Sequence, residues 1–390
     1  MHQKFGPPDW QSFIIEPSIF QKRRGCTTKS MKSNIGAFHK RVSVLKRKMR
    51  DSGLDGMIVS DRANVFYLSG FSSSNSMVLF TGKQTLFLTD FRYIEKASQM
   101  VTHLEVMQVG QGLLTETVKI LKKAAPGRIG FEPNLTYQGF QTLAKGLGVK
   151  RFVPSSGILS TLRAVKDEDE ISLIATNQKL NQRIWRKAIE ATKAGESELS
   201  IRRRIRIALD EEDAEEAFGT IVATGPNSSL PHAEPGTRKL RRGDYLLIDM
   251  GVRKAHYHSD MTRTVGWGTT SARHAEIYNI VLEAQKKALA MIKPGVPARE
   301  VDAIARNFIS EAGYGEAFQH GLGHGVGLEI HEGPTLNARS NDILAEGHVV
   351  TVEPGIYIPG FGGVRIEDLV VVTKDGYRNL TSAPKTYRDV

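Results

Sequence analysis

Apolar residues recur at helical spacing near the start of the chain and then fall into short strand-like runs. The first repeat, from 38 to 49, has apolar residues three or four positions apart, which predicts a helix with one buried face. Apolar runs at 56–60, 77–80 and 86–88 predict strands, and the polar turn between the last two predicts a hairpin. With helical patterns after each, residues 34–162 are expected to form one mixed α/β domain.

The second half of the chain carries longer patterns of both kinds. A Pro-Ser-Ser-Gly turn precedes four consecutive acids at 167–170, which favour a helix N-terminus through the helix dipole. Three further helices follow the helical period, at 197–211, 276–292 and 298–312, and four strands cluster at 245–252, 256–265, 348–358 and 364–373. Helices combined with antiparallel hairpins predict an α+β domain that spans residues 163–390.

Residues 1–33 lack both patterns. Six basic residues stand there against two acidic ones, with three prolines and no helical period, so we expect a disordered basic arm. A basic segment with few acids is also typical of an organelle transit peptide, and Met31 would be an equally natural start. Both alternatives stay open from the sequence alone.

Composition narrows the class of protein. Lysine and arginine together number 53 against 42 acidic residues, which gives a formal net charge of +11. A single cysteine, Cys26, excludes an internal disulfide and favours a reducing, cytoplasmic-type compartment. No run approaches the ~18 apolar residues that a membrane helix needs. The basic run at 202–206 is typical of a solvated helix face, so nucleic acid is not the expected partner.

An acidic residue, Asp249, interrupts the first apolar strand of the second domain. It would lie opposite Asp260 on the following strand if the two-residue turn between them began at Lys254. Facing Cβ atoms in a hairpin are about 5 Å apart, and like charges at that distance are destabilising. A cation is therefore expected between the two acids, the simpler alternative being neutralisation by Arg253 or Arg263.

The last two strands repeat this arrangement. Their hairpin, centred on Gly360, places Glu353 opposite Glu367, again within an apolar setting. Arg365 could neutralise either of them, so this pair alone is weaker evidence than the first pair. Four acids in two facing pairs predict a site for two divalent cations, because four negative charges balance two such ions.

A histidine in a glycine-rich segment lies between the two hairpins. Glycines alternate along 320–328, which lets the backbone approach neighbouring segments and exposes the imidazole of His324, with His320 in support. Four carboxylates and one imidazole without a thiolate suit Mn²⁺, Co²⁺ or Fe²⁺ better than a structural zinc. Two ions ~3.5–4 Å apart would hold a bridging hydroxide as nucleophile and polarise a substrate carbonyl.

In this order, these segments resemble the motif set of the pita-bread metallopeptidases. The resemblance rests on the strand around Asp249 and on the segments at 259–264, 320–327, 352–355 and 365–368. Segments 59–71 and 87–93 resemble the creatinase-like N-terminal domain of the Xaa-Pro aminopeptidase and Xaa-Pro dipeptidase (prolidase) branch. The resemblance implies an α+β fold in which a pita-bread catalytic domain follows a smaller mixed α/β domain.

The resemblance also implies a set of five metal ligands. Asp249 and Asp260 would bind one ion, and Asp260 and Glu367 would bridge it to a second ion. His324 and Glu353 would complete the second ion's ligands.

Further residues take catalytic and substrate-binding roles by the same resemblance. Glu353 would also accept the proton of the bridging water. His232 and His331 would contact the substrate and move protons, for which the imidazole pKa range is suited. Arg365 would orient the acids during catalysis, and Tyr357 would orient them and bind substrate.

We therefore predict a two-metal Xaa-Pro aminopeptidase that removes the residue before a proline, with Mn²⁺ as the first choice and Co²⁺, Fe²⁺ or Zn²⁺ as alternatives. An Xaa-Pro dipeptidase is the close alternative, since the motifs do not show whether a carboxylate-binding group closes the pocket beyond the proline. The remote alternative is an inactive pita-bread module that binds protein or nucleic acid. A homodimer is expected because dimers are common in this branch.

Overall fold

The structure, a computed structural model, describes residues 28–386 and divides them into two compact units. The division falls between Ser155 and Ser156, slightly before the boundary at 162/163 that the sequence suggested. Of the predicted basic arm at 1–33, residues 1–27 lie outside the described part, and the first helix begins at Thr28. Within the described residues, no helix is both long and apolar enough to span a membrane.

The first unit contains one mixed sheet with helices between its strands. Its helices are α1 (Thr28–Asp51), α2 (Arg62–Ser69), α3 (Ile94–Met100), α4 (Leu113–Ala124) and α5 (Tyr137–Leu147). Its strands are β1 (Gly56–Val59), β2 (Ser76–Phe80), β3 (Thr85–Thr89), β4 (Glu105–Gln108), β5 (Ile129–Phe131) and β6 (Phe152–Pro154). They lie in the order β4-β3-β2-β1-β5-β6. The β1–β2 and β2–β3 pairs are antiparallel, and the remaining pairs are parallel.

The predicted hairpin of the first unit is present as β2 and β3. The N–H of Thr81 donates to the carbonyl of Gln84 at 3.0 Å and closes its turn. Apolar side chains of the strands, such as Ile58 and Leu88, pack with Leu121 of α4 in the core of this unit. The alternation of apolar runs and polar turns therefore predicted β1, β2 and β3 of this sheet, whereas β4, β5 and β6 were not predicted.

A helix with a reciprocal N-terminal cap lies near the start of the second unit. Its helices are α6 (Ile158–Ala164), α7 (Glu168–Ala191), α8 (Glu198–Glu211), α9 (Ala272–Ala290) and α10 (Ala298–Glu311). The carboxylate of Asp167 accepts the N–H of Glu170 at 2.9 Å, and the carboxylate of Glu170 accepts the N–H of Asp167 at 3.0 Å. This reciprocal cap explains why the acidic run marks the start of α7.

The strands of the second unit form several small antiparallel sheets. They are β7 (Glu215–Glu216), β8 (Ile221–Thr224), β9 (Tyr245–Met250), β10 (Val252–Lys254), β11 (Tyr257–His258), β12 (Met261–Gly266), β13 (Gly323–Gly325), β14 (Glu332–Leu336), β15 (Val349–Val352), β16 (Gly355–Ile358), β17 (Gly362–Arg365), β18 (Asp368–Val372) and β19 (Tyr377–Asn379). The sheets are β12-β9-β8, β11-β10-β7, β14-β13-β15-β18-β19 and β16-β17. Each of the four long strands predicted here is therefore split into two shorter ones.

The register predicted for the first acid-bearing hairpin is wrong. The turn lies at Ala255 and His256, whose φ angles of 51° and 70° are both positive, so Asp249 pairs with Thr262 instead of Asp260. Two-residue turns of this kind favour asparagine and glycine, and neither residue stands here to signal the turn. The observed partner of Asp249 is two residues from the predicted one, so Asp249 and Asp260 still lie on the same face of the hairpin.

The register predicted for the second acid-bearing hairpin is confirmed. Both strands of this hairpin are interrupted, one between β15 and β16 and the other between β17 and β18. Gly355 pairs with Arg365 on one side of the interruption, and Val352 pairs with Asp368 on the other side. Gly360, with φ of 76°, lies in the turn where a glycine adopts this angle without strain. The same register carried through the break brings Glu353 and Glu367 opposite each other.

Buried amide side chains of α7 hold the first hairpin. Asn177 donates to the carbonyl of Tyr257 at 2.8 Å and to that of Lys254 at 3.0 Å. Gln178 donates to the carbonyl of Asp260 at 2.9 Å. Because the strands are interrupted there, these carbonyls take side-chain donors in place of ladder partners.

Replacing Asn177 with leucine is expected to lower the free energy of unfolding by about 1–3 kcal/mol, because the Tyr257 carbonyl is buried and loses its donor. Denaturant unfolding measures the change. Lys179→Leu, on an exposed position of the same helix, is the matched control and should change stability by less than about 0.5 kcal/mol. Equal effects of the two substitutions would contradict the role assigned to Asn177.

Candidate metal centre

A cleft of about 840 Å³ in the second unit brings the predicted site residues together. Its walls include all five predicted metal ligands and both predicted substrate histidines, namely Asp249, Asp260, His324, Glu353, Glu367, His232 and His331. Arg365 and His320 also line it. The four acids of the two hairpins thus reach one cavity although the hairpins are far apart in sequence.

Three of the four acids lie where strands are interrupted. Asp260 falls between β11 and β12, Glu353 between β15 and β16, and Glu367 between β17 and β18. At these points the backbone bonds to distant segments: the Glu353 N–H donates to the Leu322 carbonyl at 2.8 Å and the Glu367 N–H to the Thr262 carbonyl at 3.2 Å. An interrupted ladder lets side chains leave the strict alternation of a strand, so acids from different sheets can converge.

The convergence is close enough for metal coordination. One ligand atom from each of Asp260, His324 and Glu367 lies within 4.8 Å of the others. The Nε2 of His324 is 3.3 Å from Oε1 of Glu353 and 3.6 Å from Oδ2 of Asp260. Asp249 lines the same cavity.

The imidazole of His324 is oriented to present Nε2 to the acids. Its Nδ1 lies 3.1 Å from the carbonyl oxygen of Gly325. A carbonyl only accepts hydrogen bonds, so Nδ1 carries the proton, and in the neutral ring Nε2 has a lone pair. Any Cβ at Gly323 would collide with the carbonyl of Thr351, which explains a glycine beside this histidine.

Each of three acids has one anchored or paired oxygen and one oxygen without a donor. Oδ2 of Asp249 accepts from Arg365 at 2.5 Å, and Oε2 of Glu367 accepts from Thr262 at 2.7 Å. The other oxygens, Oδ1 of Asp249, Oδ1 of Asp260 and Oε1 of Glu367, are buried and have no hydrogen-bond partner among the described residues. Buried acceptors without donors are costly, and a divalent cation would satisfy all three.

Burial and mutual repulsion dominate the electrostatics of the acids. Burial, followed by the charge of neighbouring carboxylates, raises the pKa of Asp260 and of Glu367 well above their ordinary values. Burial also raises the pKa of Asp249, although Arg365 opposes this shift. Burial acts the same way on Glu353, but His324, when it is protonated at Nε2, donates a hydrogen bond to this acid and places a positive charge beside it. These two effects outweigh burial and lower the pKa of Glu353 to about 2. A cation at this point would relieve the repulsion.

Arg365 spreads its guanidinium over several partners behind the acids. Besides Asp249, it donates to the Thr262 hydroxyl at 3.0 Å and to the Tyr357 hydroxyl at 2.7 Å. Tyr357 in turn lies 3.0 Å from Nε2 of His320. Tyr357 is buried and accepts a hydrogen bond from Arg365, and its predicted contact with substrate stays a prediction. Burial raises its pKa to about 12.

The two histidines predicted to contact the substrate take different positions on the cleft wall. His331 stacks edge-on against His324, with ring centroids 4.3 Å apart, and burial and the charge of His324 lower its pKa. His232 is exposed on the segment that follows β8. Both rings are accessible from the cavity, as hydrogen-bonding to a substrate requires.

Sequence analysis missed several residues that shape the site. The hydroxyl of Thr262 accepts from Arg365 and donates to the carboxylate of Glu367. The hydroxyl of Thr351 donates to the carboxylate of Glu353 at 3.0 Å and accepts the backbone N–H of His324 at 3.0 Å. Hydroxyls on strands give no signal in a single sequence.

The simpler alternative for Asp249 and Asp260, neutralisation by Arg253 or Arg263, is wrong. Arg263 pairs with Asp368, and Arg253 pairs with Glu215.

Comparison with known proteins identifies the family. A model described as metallopeptidase family M24 matches residues 172–374, and one described as the creatinase/prolidase N-terminal domain matches residues 41–165. The chain belongs to metallopeptidase family M24. It is a metallopeptidase, a hydrolase of peptide bonds that uses divalent metal, with a pita-bread catalytic domain after a creatinase-like domain. The predicted resemblance and fold class are confirmed.

Similar proteins carry names from both predicted activities. An Xaa-Pro dipeptidase of Pyrococcus horikoshii is 38% identical over 345 residues, covering 88% of this chain and 96% of that protein. The structure of an Xaa-Pro dipeptidase from Bacillus anthracis has a TM-score of 0.86 and 37% identity, covering 90% of this chain and 99% of that one. An X-Pro aminopeptidase structure from Thermotoga maritima has a TM-score of 0.80 and 37% identity, covering 87% and 99%.

Without metal, three acids of the centre are expected to contribute less to stability as the pH rises. The raised pKa values of Asp249, Asp260 and Glu367 mean that these three groups hold more protons in the folded chain than in the unfolded chain above about pH 4. Their contribution to stability is therefore lost as the pH rises through their folded pKa values. The pKa of Glu353 is lowered from 4.5 to about 2, so its contribution to stability increases as the pH rises. That contribution has reached its full value above about pH 4.5 and does not change at higher pH.

Bound Mn²⁺ should cancel this loss, so Mn²⁺ is expected to raise the melting temperature more at about pH 8 than at about pH 5. Differential scanning fluorimetry of chelator-treated protein, with and without Mn²⁺, measures the difference. Asp260→Asn removes one ligand charge with little change of shape and should show a smaller rise. No rise with Mn²⁺ at either pH would contradict the metal centre.

Proposed function

We propose that this metallopeptidase is an Xaa-Pro dipeptidase, which hydrolyses the bond between a first residue and a C-terminal proline. Metal-dependent hydrolysis is supported by the convergence of four carboxylates and one imidazole on one cleft, with three buried carboxylate oxygens that have no donor among the described residues. Sequence analysis put the Xaa-Pro aminopeptidase first and the dipeptidase second. The similar proteins favour the dipeptidase, and the Thermotoga maritima enzyme keeps the aminopeptidase as the second candidate.

Two divalent ions fit the donors of the site. The oxygen and imidazole donors, without sulfur, favour Mn²⁺, with Co²⁺, Fe²⁺ or Zn²⁺ as alternatives. Asp249 and Asp260 would hold one ion, Asp260 and Glu367 would be shared, and His324 and Glu353 would complete the second. When bound, the ions polarise the scissile carbonyl and make water a better nucleophile.

The side chains of the cleft would handle protons and position the substrate. Glu353 would accept a proton, with its Oε1 held by the Thr351 hydroxyl. His232 and His331 would donate hydrogen bonds to the substrate carbonyl and its neighbouring nitrogen as charge develops there. Arg365 would keep Asp249 ionised and in place, since it donates to Oδ2 of that acid. A homodimer and a cytoplasmic location complete the proposal.

The protein reloaded with Mn²⁺ is expected to release proline from an Xaa-Pro dipeptide. Its kcat/KM for the dipeptide should exceed that for an Xaa-Pro-Yaa tripeptide by about tenfold or more. Quantifying the released amino acids by chromatography measures both rates, and a Pro-Xaa dipeptide is the control that should not be cut. A preference for the tripeptide would establish the aminopeptidase instead, and hydrolysis of neither would refute both activities.

Two substitutions separate metal binding from proton transfer. Asp260→Ala should abolish both activity and metal content, because both ions lose a shared ligand. His232→Ala should keep its metal and lower kcat by about 10²–10⁴-fold, the usual contribution of an acid–base group. Elemental analysis and steady-state kinetics on the same samples check both. Loss of metal from His232→Ala, or turnover by Asp260→Ala, would show that the roles are assigned wrongly.

A further inference from the structure

His232 lies on an irregular segment between β8 and β9, after a short 3₁₀ helix at Gly225–Ser229. Its side chain is exposed at the cleft. A side chain that handles protons must stay within hydrogen-bond reach of its substrate, and an irregular segment supplies little order of its own. The His232 loop, residues 224–236, therefore needs contacts from elsewhere in the fold to keep the imidazole in place.

Both ends of the His232 loop bind one carboxylate, that of Glu198 in the first turn of α8. At the start of the loop, Oε1 of Glu198 accepts the N–H and the hydroxyl of Thr224, each at 2.8 Å. At the end of the loop, Oε2 accepts the Gly236 N–H at 2.9 Å. The side-chain amide of Asn227 donates to the two oxygens at 3.1 and 3.2 Å. A single side chain thus joins the two ends of the loop.

Glu198 differs from an ordinary first-turn acid because it is fully buried. Acids in a first turn interact with the helix dipole from the surface, as the exposed Glu300 of α10 can do. Glu198 has an exposure of 0%. A buried carboxylate is costly unless donors surround it, and the donors around Glu198 come from the His232 loop. Its burial therefore serves the loop and goes beyond what the dipole of α8 requires.

The middle of the His232 loop is held on either side of the histidine. Arg365, which holds the metal-centre acid Asp249, donates to the carbonyl of Pro231 at 3.2 Å. Ala233 is buried in a small apolar cluster with residues of β8 and β9. The backbone next to His232 is thus tied to the metal centre, and its position depends on where Glu198 fixes the ends of the loop.

We propose that Glu198 is a positioning residue for His232, because its carboxylate fixes both ends of the His232 loop and so keeps the imidazole at the cleft. Glu198 is not among the described residues that line the cleft, so it acts through the loop and not by contact with substrate. This inference rests on the proposed function, in which His232 contacts the substrate. A misplacement of about 1 Å can cost roughly a hundredfold in rate, even when its cause lies far from the reacting atoms.

The competing explanation is that Glu198 only stabilises α8 through its charge. The two explanations differ for Glu198→Asp, which keeps a negative charge in the first turn but has a side chain shorter by one methylene group. A charge acting on the helix dipole tolerates this change. A carboxylate that must reach both Thr224 and Gly236 does not, so Glu198→Asp should lower kcat by about fivefold or more.

The kinetic test is a double-mutant cycle in full-length protein loaded with Mn²⁺, using the Xaa-Pro dipeptide or Xaa-Pro-Yaa tripeptide that the wild type cuts. Glu198→Gln should lower kcat by about ten- to hundredfold, with little change in KM and none in metal content. In the His232→Ala background the same substitution should change kcat by less than about twofold, because its effect passes through His232. Glu300→Gln, which removes the exposed first-turn acid of α10, is the matched control and should behave as wild type.

Asn227→Ala is a milder variant that decides the question if Glu198→Gln does not fold. It removes one donor of the carboxylate and leaves the donors at both ends of the loop. It should lower kcat by about two- to tenfold in the wild type and leave kcat unchanged in the His232→Ala background.

Hydrogen–deuterium exchange measured by mass spectrometry separates this proposal from the proposed function, because it needs no turnover. Peptides within 225–236 should exchange faster in Glu198→Gln than in the wild type, and Glu300→Gln should leave them unchanged. That result supports the role of Glu198 in the loop even if no peptide is cut. The proposal is overturned by unchanged exchange of the loop, by wild-type kcat in Glu198→Asp, or by an undiminished effect of Glu198→Gln or Asn227→Ala in the His232→Ala background.

Discussion

Repulsion among four carboxylates, three of them buried and Glu353 partly buried, is the constraint on which the second unit depends. Asp249, Asp260, Glu353 and Glu367 reach one cavity, where burial and their neighbours' charge favour protonation of three of them. The folded chain supplies one buried guanidinium, from Arg365, and one imidazole, from His324. These two groups cannot balance four negative charges, so a divalent cation completes the electrostatics. The cation that serves catalysis thus also stabilises the fold.

Interrupted strands are the means by which the fold assembles this site. A continuous strand would hold its side chains in strict alternation, and acids of different sheets would stay apart. At the breaks, backbone groups find partners elsewhere: the Asp260 carbonyl accepts from Gln178 of α7, and the Glu353 N–H donates to Leu322. Hydroxyls then fix single oxygens, as Thr262 does for Glu367. The remaining oxygens are left facing the cavity, where a metal ion can reach them.

The sequence predicts the two acid-bearing hairpins and their convergence better than their detailed geometry. Gly360 marks the second turn, and the register built on it is correct. Ala255 and His256 adopt positive φ without any residue that announces it, and the register built on a turn at Lys254 is wrong. The predicted convergence of the acids is still correct, because shifting the pairing of two strands by two residues keeps each side chain on the same face of the hairpin. The strand breaks and the hydroxyl contacts of Thr262 and Thr351 depend on distant segments, so no local pattern could reveal them.

Burial decides what each arginine of the cleft does. Arg365 is enclosed, and a buried guanidinium must satisfy its donors within the protein, so its charge is used to hold Asp249. Arg202 donates through Nε to Glu216 at 3.5 Å and lines the cleft. The basic run that contains Arg202 looks uniform in sequence, although consecutive positions of a helix point in different directions. Only the segment at 218–221, folded beside α8, turns one member of that run into part of the cleft.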